Sequence, residues 1–103
     1  MIIHKQQENT ALTLALEGRL DTVTAPQLEE ELNRSLEGIS DLTFDFSGLE
    51  YLSSAGFRTL IVAYKLMHGH GSLKVINANE IILEAFRLTG VDNIISVSGS
   101  EAS

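Results

Sequence analysis

Short apolar strands alternate with single amphipathic helices along this chain, and that alternation constrains the fold more than any other feature. Residues 2–7 read as an edge strand, and Glu8-Asn9-Thr10 supply turn residues. Leu12, Leu14 and Leu16 then alternate with Ala11, Thr13 and Ala15 at the period of a strand, with Gly18 to Asp21 as its exit. A first helix follows, with Thr24 as N-cap, Pro26 in the first turn and Gln27 closing a capping box. Leu28, Leu32, Ser35, Leu36 and Ile39 recur on one face of it, and Gly38 is its terminator. Leu42 to Phe46 make a short, largely apolar strand, expected to be central and covered on both faces. The second helix runs from about Ser54 to His68 with Phe57, Leu60, Ile61 and Tyr64 on one side. Val62, Leu66 and Met67 widen its apolar character, as deep packing or an interface would require. Ser72 to Ile76 read as a strand, and Asn77-Ala78-Asn79-Glu80 can cap a third helix. Ile81, Ile82, Ala85, Phe86 and Leu88 form its expected core stripe, and Gly90 ends it. Ile94 to Val97 add a last strand, and residues 98–103 read as a flexible tail to a single domain over 1–97.

The order β-β-α-β-α-β-α-β defines an α/β fold. Strands separated by single helices imply right-handed parallel crossovers, so the sheet is mixed and mostly parallel, with one antiparallel strand at the start. In such sheets functional residues gather beyond the carboxyl ends of the strands. The turns at Asp21 and at Ser53-Ser54 both belong to that edge.

Composition removes several classes of function. The 103 residues include no cysteine, which excludes disulfides, thiolate chemistry and cysteine metal sites. With 14 acidic residues against 7 basic ones the net charge is −7, and such a surface repels a phosphate backbone, so nucleic acid is not an expected partner. No apolar run approaches the roughly 18 residues that span a bilayer, and the N-terminus lacks a signal-peptide core. The expectation is a soluble, cytoplasmic protein without membrane insertion. His68-Gly69-His70-Gly71 offers two histidines and no third ligand in sequence reach, so no metal is assigned. Lys74 stands where a glycine-rich phosphate loop needs its third glycine, and Tyr51 and Leu52 occupy the place of a nucleophile elbow's glycine. No acid–base pair or nucleophile–base spacing is present, so neither an enzyme nor a cofactor is expected.

The stretch from Asp45 to Arg58 carries the chemistry. An apolar strand ends in an acidic residue, a short turn follows, and a helix opens on two adjacent serines. A hydroxyl there sits among backbone N–H groups that have no intrahelical partner, and a phosphate on it would lie at the positive end of the helix dipole. Without further context a serine pair at a helix start reads as simple capping. Asp45 and Asp21 read equally as acceptors of turn N–H groups or as interface residues, and Arg58 equally as a partner contact or a solvated helix residue.

The whole chain resembles the STAS domain, the fold of bacterial anti-sigma factor antagonists and of the cytoplasmic module of sulfate transporters. The resemblance is carried by the Gly18-Arg19-Leu20-Asp21 exit, the Ala25-Pro26-Gln27-Leu28 helix start, the block from Asp45 to Gly56 and the segment from Glu84 to Val91. In phosphorylatable members the block reads Asp-Ser-Ser-Gly or Asp-Thr-Ser-Gly, and the residue after that Asp accepts phosphate. The matching residues here are Ser53, Ser54, Ala55 and Gly56, so the resemblance implies Ser54 as phosphoacceptor, with Ser53 as alternative in place of the usual Asp.

The resemblance further implies partner switching. Unphosphorylated, the domain would bind an anti-sigma factor with serine kinase activity and so free a sigma factor; phosphorylation at Ser54 would release it, and a serine phosphatase would reset it. Asp21, Asp45, Ser53, Ser54, Gly56, Phe57 and Arg58 would make the partner surface, with Gly56 letting a partner or its nucleotide approach the backbone. A phosphorylation-independent scaffold subunit of a transporter ATPase or signalling complex is the alternative, and anion sensing at the Ser53-Ser54 turn ranks behind both. Monomer and dimer are equally compatible with the sequence.

Overall fold

The computed structural model describes residues 1–100. Its elements are β1 (Ile2–Glu8), β2 (Ala11–Leu20), α1 (Ala25–Ser35), β3 (Asp41–Leu52), α2 (Ser54–Met67), β4 (Ser72–Ala78), α3 (Glu80–Thr89), a 3-10 turn (Val91–Asn93) and β5 (Ser96–Gly99). Among the described residues the five strands form one sheet in sequence order, β1 antiparallel to β2 and every other neighbour parallel. This is the mixed, mostly parallel sheet that the sequence pattern predicts.

Successive right-handed crossovers that advance in one direction leave their helices on one side of a sheet. Burial agrees. Leu12, Leu14, Leu16, Leu42, Phe44 and Phe46 join Leu28, Leu32, Leu60, Ile82 and Phe86 in one core, while the alternate residues Thr13, Ala15, Thr43 and Asp45 stay half-exposed. β3 is therefore covered on one face only, contrary to expectation. Its strict alternation of apolar and polar residues is the period of a one-sided strand.

β3 is also longer than the sequence suggests. It parts from β4 after the Asp45–Ile76 pair but continues beside β2 to Leu52. Register shifts opposite Ala15–Glu17 and Gly18–Arg19 absorb two extra residues. The turn expected after Asp45 is thus a pair of irregularities inside one strand.

The capping box at Thr24 does not form. Thr24 Oγ1 donates to the Arg19 carbonyl (2.8 Å) and accepts the Asp21 N–H (2.9 Å), while the Gln27 side chain donates to the Met1 carbonyl (3.1 Å). α1 ends at Ser35, so Ile39 is buried from the following loop rather than from the helix. α3 is capped as predicted, its Asn79 Oδ1 accepting the Ile82 N–H at 2.8 Å, and Gly90 ends it at φ +76°. Its core stripe is narrower than expected. Ile82 and Phe86 are buried, but Ile81 and Leu88 are 74% and 79% exposed. β5 starts two residues later than expected and takes in Ser98 and Gly99, which the sequence assigns to the tail; residues 101–103 of that tail lie outside the described residues.

Candidate functional site at the carboxyl edge of the sheet

β2 and β3 are parallel neighbours up to the Leu20–Leu52 pair, so the loops that leave them stand side by side, whereas β4 parts from β3 at the Asp45–Ile76 pair and its exit lies against Leu49, whose carbonyl accepts the Asn79 amide at 3.3 Å. The Asp21–Thr24 loop lies on one flank, Asn79 and Glu80 on the other, and Ser53-Ser54 between them.

The Asp21 loop is held by its own side chain. Asp21 Oδ1 accepts the N–H groups of Val23 (3.0 Å) and Thr24 (3.1 Å), and the Arg19 guanidinium lies 3.7 Å from Oδ2. The Thr24 and Val23 N–H groups, the Thr24 hydroxyl and Arg19 together hold this carboxyl below its ordinary pKa despite some desolvation. Arg19 also stacks 4.3 Å from the centre of the Tyr51 ring, tying β2 to β3 just before the serines.

The two serines differ. Ser53 is the N-cap of α2, in extended backbone geometry, with its Oγ accepting the Gly56 N–H at 3.3 Å and its own N–H donating to the Leu20 carbonyl at 3.0 Å. Ser54 is the first residue of the helix, exposed, and its hydroxyl makes no hydrogen bond among the described residues. One hydroxyl is used by the fold and the next is free.

Gly56 is buried, which corrects its expected role as a point of partner approach. A Cβ there would lie 2.5 Å from Leu52 Cδ1 and 2.9 Å from the Leu20 carbonyl oxygen. Its missing side chain lets α2 press against the ends of β2 and β3. Phe57 is half-buried, its ring meeting Phe86 edge-on at 5.1 Å, so it anchors α2 to α3. Arg58 is exposed and has no carboxylate partner among the described residues.

Asp45 does not join this group. It lies mid-strand opposite Ala15, whereas the site begins where Leu20 pairs with Leu52. The five residue steps of β2 from Ala15 to Leu20 span roughly 17 Å at about 3.3 Å each. Asp45 instead fastens the point where β3 and β4 part, accepting the Ser47 N–H (2.9 Å) and the Asn77 amide (3.1 Å). Partial burial pushes its pKa up, but these two donors outweigh it and hold the carboxyl below its ordinary value.

Three residues at this edge escaped the sequence reading. Val23 in the Asp21 loop is 84% exposed, Ile81 opens α3 with its side chain outward, and Tyr51 is partly exposed under Arg19. Val23 could have been suspected, since it sits among turn residues with no strand or helix period to bury it. The phase of Ile81 depends on where Asn79 starts the helix. Among the described residues no group of three or more His, Cys, Asp or Glu is placed to hold a metal ion, and no helix is long and apolar enough to cross a membrane.

A family model for the STAS domain matches residues 2–103. The anti-sigma-B factor antagonist of Bacillus subtilis (strain 168) is 32% identical over 95 residues, covering 91% of this chain and 86% of that protein. An anti-sigma factor antagonist from Mycobacterium paratuberculosis superimposes with a TM-score of 0.83 at 23% identity, over 93% of this chain and 83% of its own. The Bacillus cell fate determinant SpoIIAA in its phosphorylated form superimposes at 0.74 and 13% identity, over 97% and 94%. The sheet order, the serine-capped helix at its carboxyl edge and these likenesses converge: the chain belongs to the STAS domain family.

Proposed function

We propose that this chain is an anti-sigma factor antagonist that works by partner switching at Ser54. The observation that carries the proposal is the division of labour between the serines: Ser53 caps α2, and Ser54 offers a free, exposed hydroxyl one residue later. Unphosphorylated, the carboxyl edge binds an anti-sigma factor with serine kinase activity. In the transfer step Ser54 Oγ bonds to the γ-phosphorus of the kinase's ATP, the bond to the β-phosphate oxygen breaks, ADP leaves, and the hydroxyl proton passes to a base on the kinase. This chain is the substrate, and a serine phosphatase restores it by hydrolysis.

The physics of release is simple. A phosphate adds about −1.5 to −2 charge units near neutral pH. A surface built for close contact loses about 1000-fold in affinity for only about 4 kcal/mol, which one uncompensated buried charge can supply. Val23 in the Asp21 loop and Ile81 in the first turn of α3, both exposed, supply apolar contact on either side of the acceptor. The scaffold alternative draws on Val62, Leu66 and Met67 of α2; Met67 belongs to the core and Val62 is half-buried, while Leu66 is exposed.

The test is capture from an extract of the native organism with wild type, Ser54→Ala and Ser54→Asp, identifying partners by mass spectrometry. A kinase-fold protein held by wild type and Ser54→Ala but lost with Ser54→Asp is the expected result. Equal capture by all three, or capture of an ATPase subunit indifferent to Ser54, overturns switching and favours the scaffold.

A further inference from the structure

We infer that Arg58 is the counter-charge that receives a phosphate on Ser54, so that modification withdraws a cation from the partner face as it adds an anion. The inference rests on Ser54 being the phosphoacceptor. α2 places Ser54 at its first position and Arg58 four residues later, hence on the same face one turn apart. Side chains on a helix lean toward its N-terminus, which brings the turn that holds Ser54 within reach of the long Arg58 side chain. A guanidinium is a rigid fork of N–H donors that matches phosphate oxygens two at a time.

What singles out Arg58 is that it is uncommitted. Arg19, Arg34 and Arg87 each lie against a carboxylate, Asp21 at 3.7 Å, Glu31 at 2.8 Å and Glu84 at 3.1 Å. Arg58 has none among the described residues, in a chain where acidic residues outnumber basic ones two to one. Other cations are poorly placed to substitute. Arg19 is held by Asp21 and by the Tyr51 ring. Lys65 sits eleven residues beyond Ser54 on the same helix, roughly 16 Å along its axis. Ser54 and Arg58 thus form a hydroxyl and a guanidinium, both exposed and both without a partner among the described residues, at the spacing of a helical ion pair.

The consequence is a two-part switch. Before modification Arg58 extends free beside the acceptor and is available to a carboxylate of the kinase. After modification its charge is spent within the chain, folded onto the phosphate.

The test needs no partner. Phosphoserine is installed biosynthetically at position 54 in the full chain, and the second ionisation of the phosphate is followed by 31P NMR between pH 4 and 9. The comparison is with the same phosphoprotein carrying Arg58→Gln, and with Arg58→Lys. The helix N-terminus and the other charged groups, Asp21, Glu50, Glu80 and Lys65 among them, are common to all three and cancel. An arginine paired with the dianion makes it bind its proton roughly two- to fivefold more weakly in wild type than in Arg58→Gln, with Arg58→Lys between them. Coincident 31P curves for wild type and Arg58→Gln overturn the inference. Unphosphorylated Arg58→Gln, changed at an exposed position, should melt with wild type, which separates charge pairing from misfolding. Because the phosphate is placed without a kinase, this outcome is independent of the switching proposal. Mass spectrometry of the native chain that finds phosphate on Ser53, or none, would sink that proposal and leave the Arg58 measurement standing.

Discussion

Replacing Gly56 by alanine tests both the packing of the site and the reason a glycine stands in it. The new methyl carbon would lie 2.5 Å from Leu52 Cδ1, 2.9 Å from the Leu20 carbonyl oxygen and 3.0 Å from Leu20 Cγ. Comfortable carbon contacts lie at about 3.5–4.0 Å, so the shortfall reaches roughly 1 Å. Leu52 could rotate away, but the Leu20 carbonyl is backbone and accepts the Ser53 N–H at 3.0 Å. Relief therefore requires the start of α2 to move off the sheet, weakening that bond. Overpacking costs about 1–3 kcal/mol, and a clash under 3 Å that involves backbone belongs to the upper part of that range, about 2–3 kcal/mol. Against it stands the helix preference of alanine over glycine, about 1 kcal/mol. The expected net loss is about 1–2 kcal/mol, which for a domain of this size lowers the melting temperature by roughly 5–15 °C. The chain has no tryptophan, so urea unfolding is best followed by circular dichroism at 222 nm. The midpoint should fall by roughly 1 M at an unchanged slope. A midpoint that stays or rises would refute the reasoning, because helix propensity would then outweigh a contact that exists only if α2 sits where the structure has it.

Three further outcomes are expected. Ser53→Ala removes the cap of α2 and should cost about 1 kcal/mol, whereas Ser54→Ala should stay within about 0.5 kcal/mol of wild type; equal losses in urea would contradict the division between the two hydroxyls. Ile82→Ala should cost about 2–5 kcal/mol and Ile81→Ala under about 0.5 kcal/mol, a contrast that checks which face of α3 meets the sheet. Asp45, like Asp21, Glu31 and Asp41, contributes a pH dependence that its own substitution isolates. Its folded pKa lies below the ordinary 3.8 of the unfolded chain, so the unfolded state binds the extra proton between the two values. The stability it contributes is full above about pH 5 and is lost as pH falls through the folded value. Urea midpoints of wild type and Asp45→Asn should accordingly converge between pH 6 and pH 3, and a pH-independent gap would exclude Asp45 as the source.

Residue order alone was enough to call the element sequence, because strands and helices impose different apolar periods and Leu12-Leu14-Leu16 cannot be mistaken for Leu28-Leu32. It was also enough to place Ser53 and Ser54 at the carboxyl edge, since residues that directly follow a parallel strand leave from its carboxyl end. Caps whose partner lies within three residues, such as Asn79 to Ile82, were legible for the same local reason. Thr24 failed as a local guess because its hydroxyl found better partners in the preceding loop.

What the tertiary structure decided depends on neighbours distant in sequence. Asp45 precedes Ser53 by only eight residues, yet it stays mid-strand opposite Ala15, because β3 continues along β2 through two register shifts instead of turning. Gly56 reads as an open approach until Leu20, 36 positions earlier, is found against its Cα. Ile81 and Ile82 are alike in composition, yet one is buried and one exposed, because the sheet fixes the rotation of α3. The sequence by itself determined the periods, the elements and the edge where two serines would lie. Only packing decided which serine the fold consumes, which arginine it leaves unpaired and which carboxylate it keeps away, because those outcomes are set by atoms that the chain brings together only once it is folded.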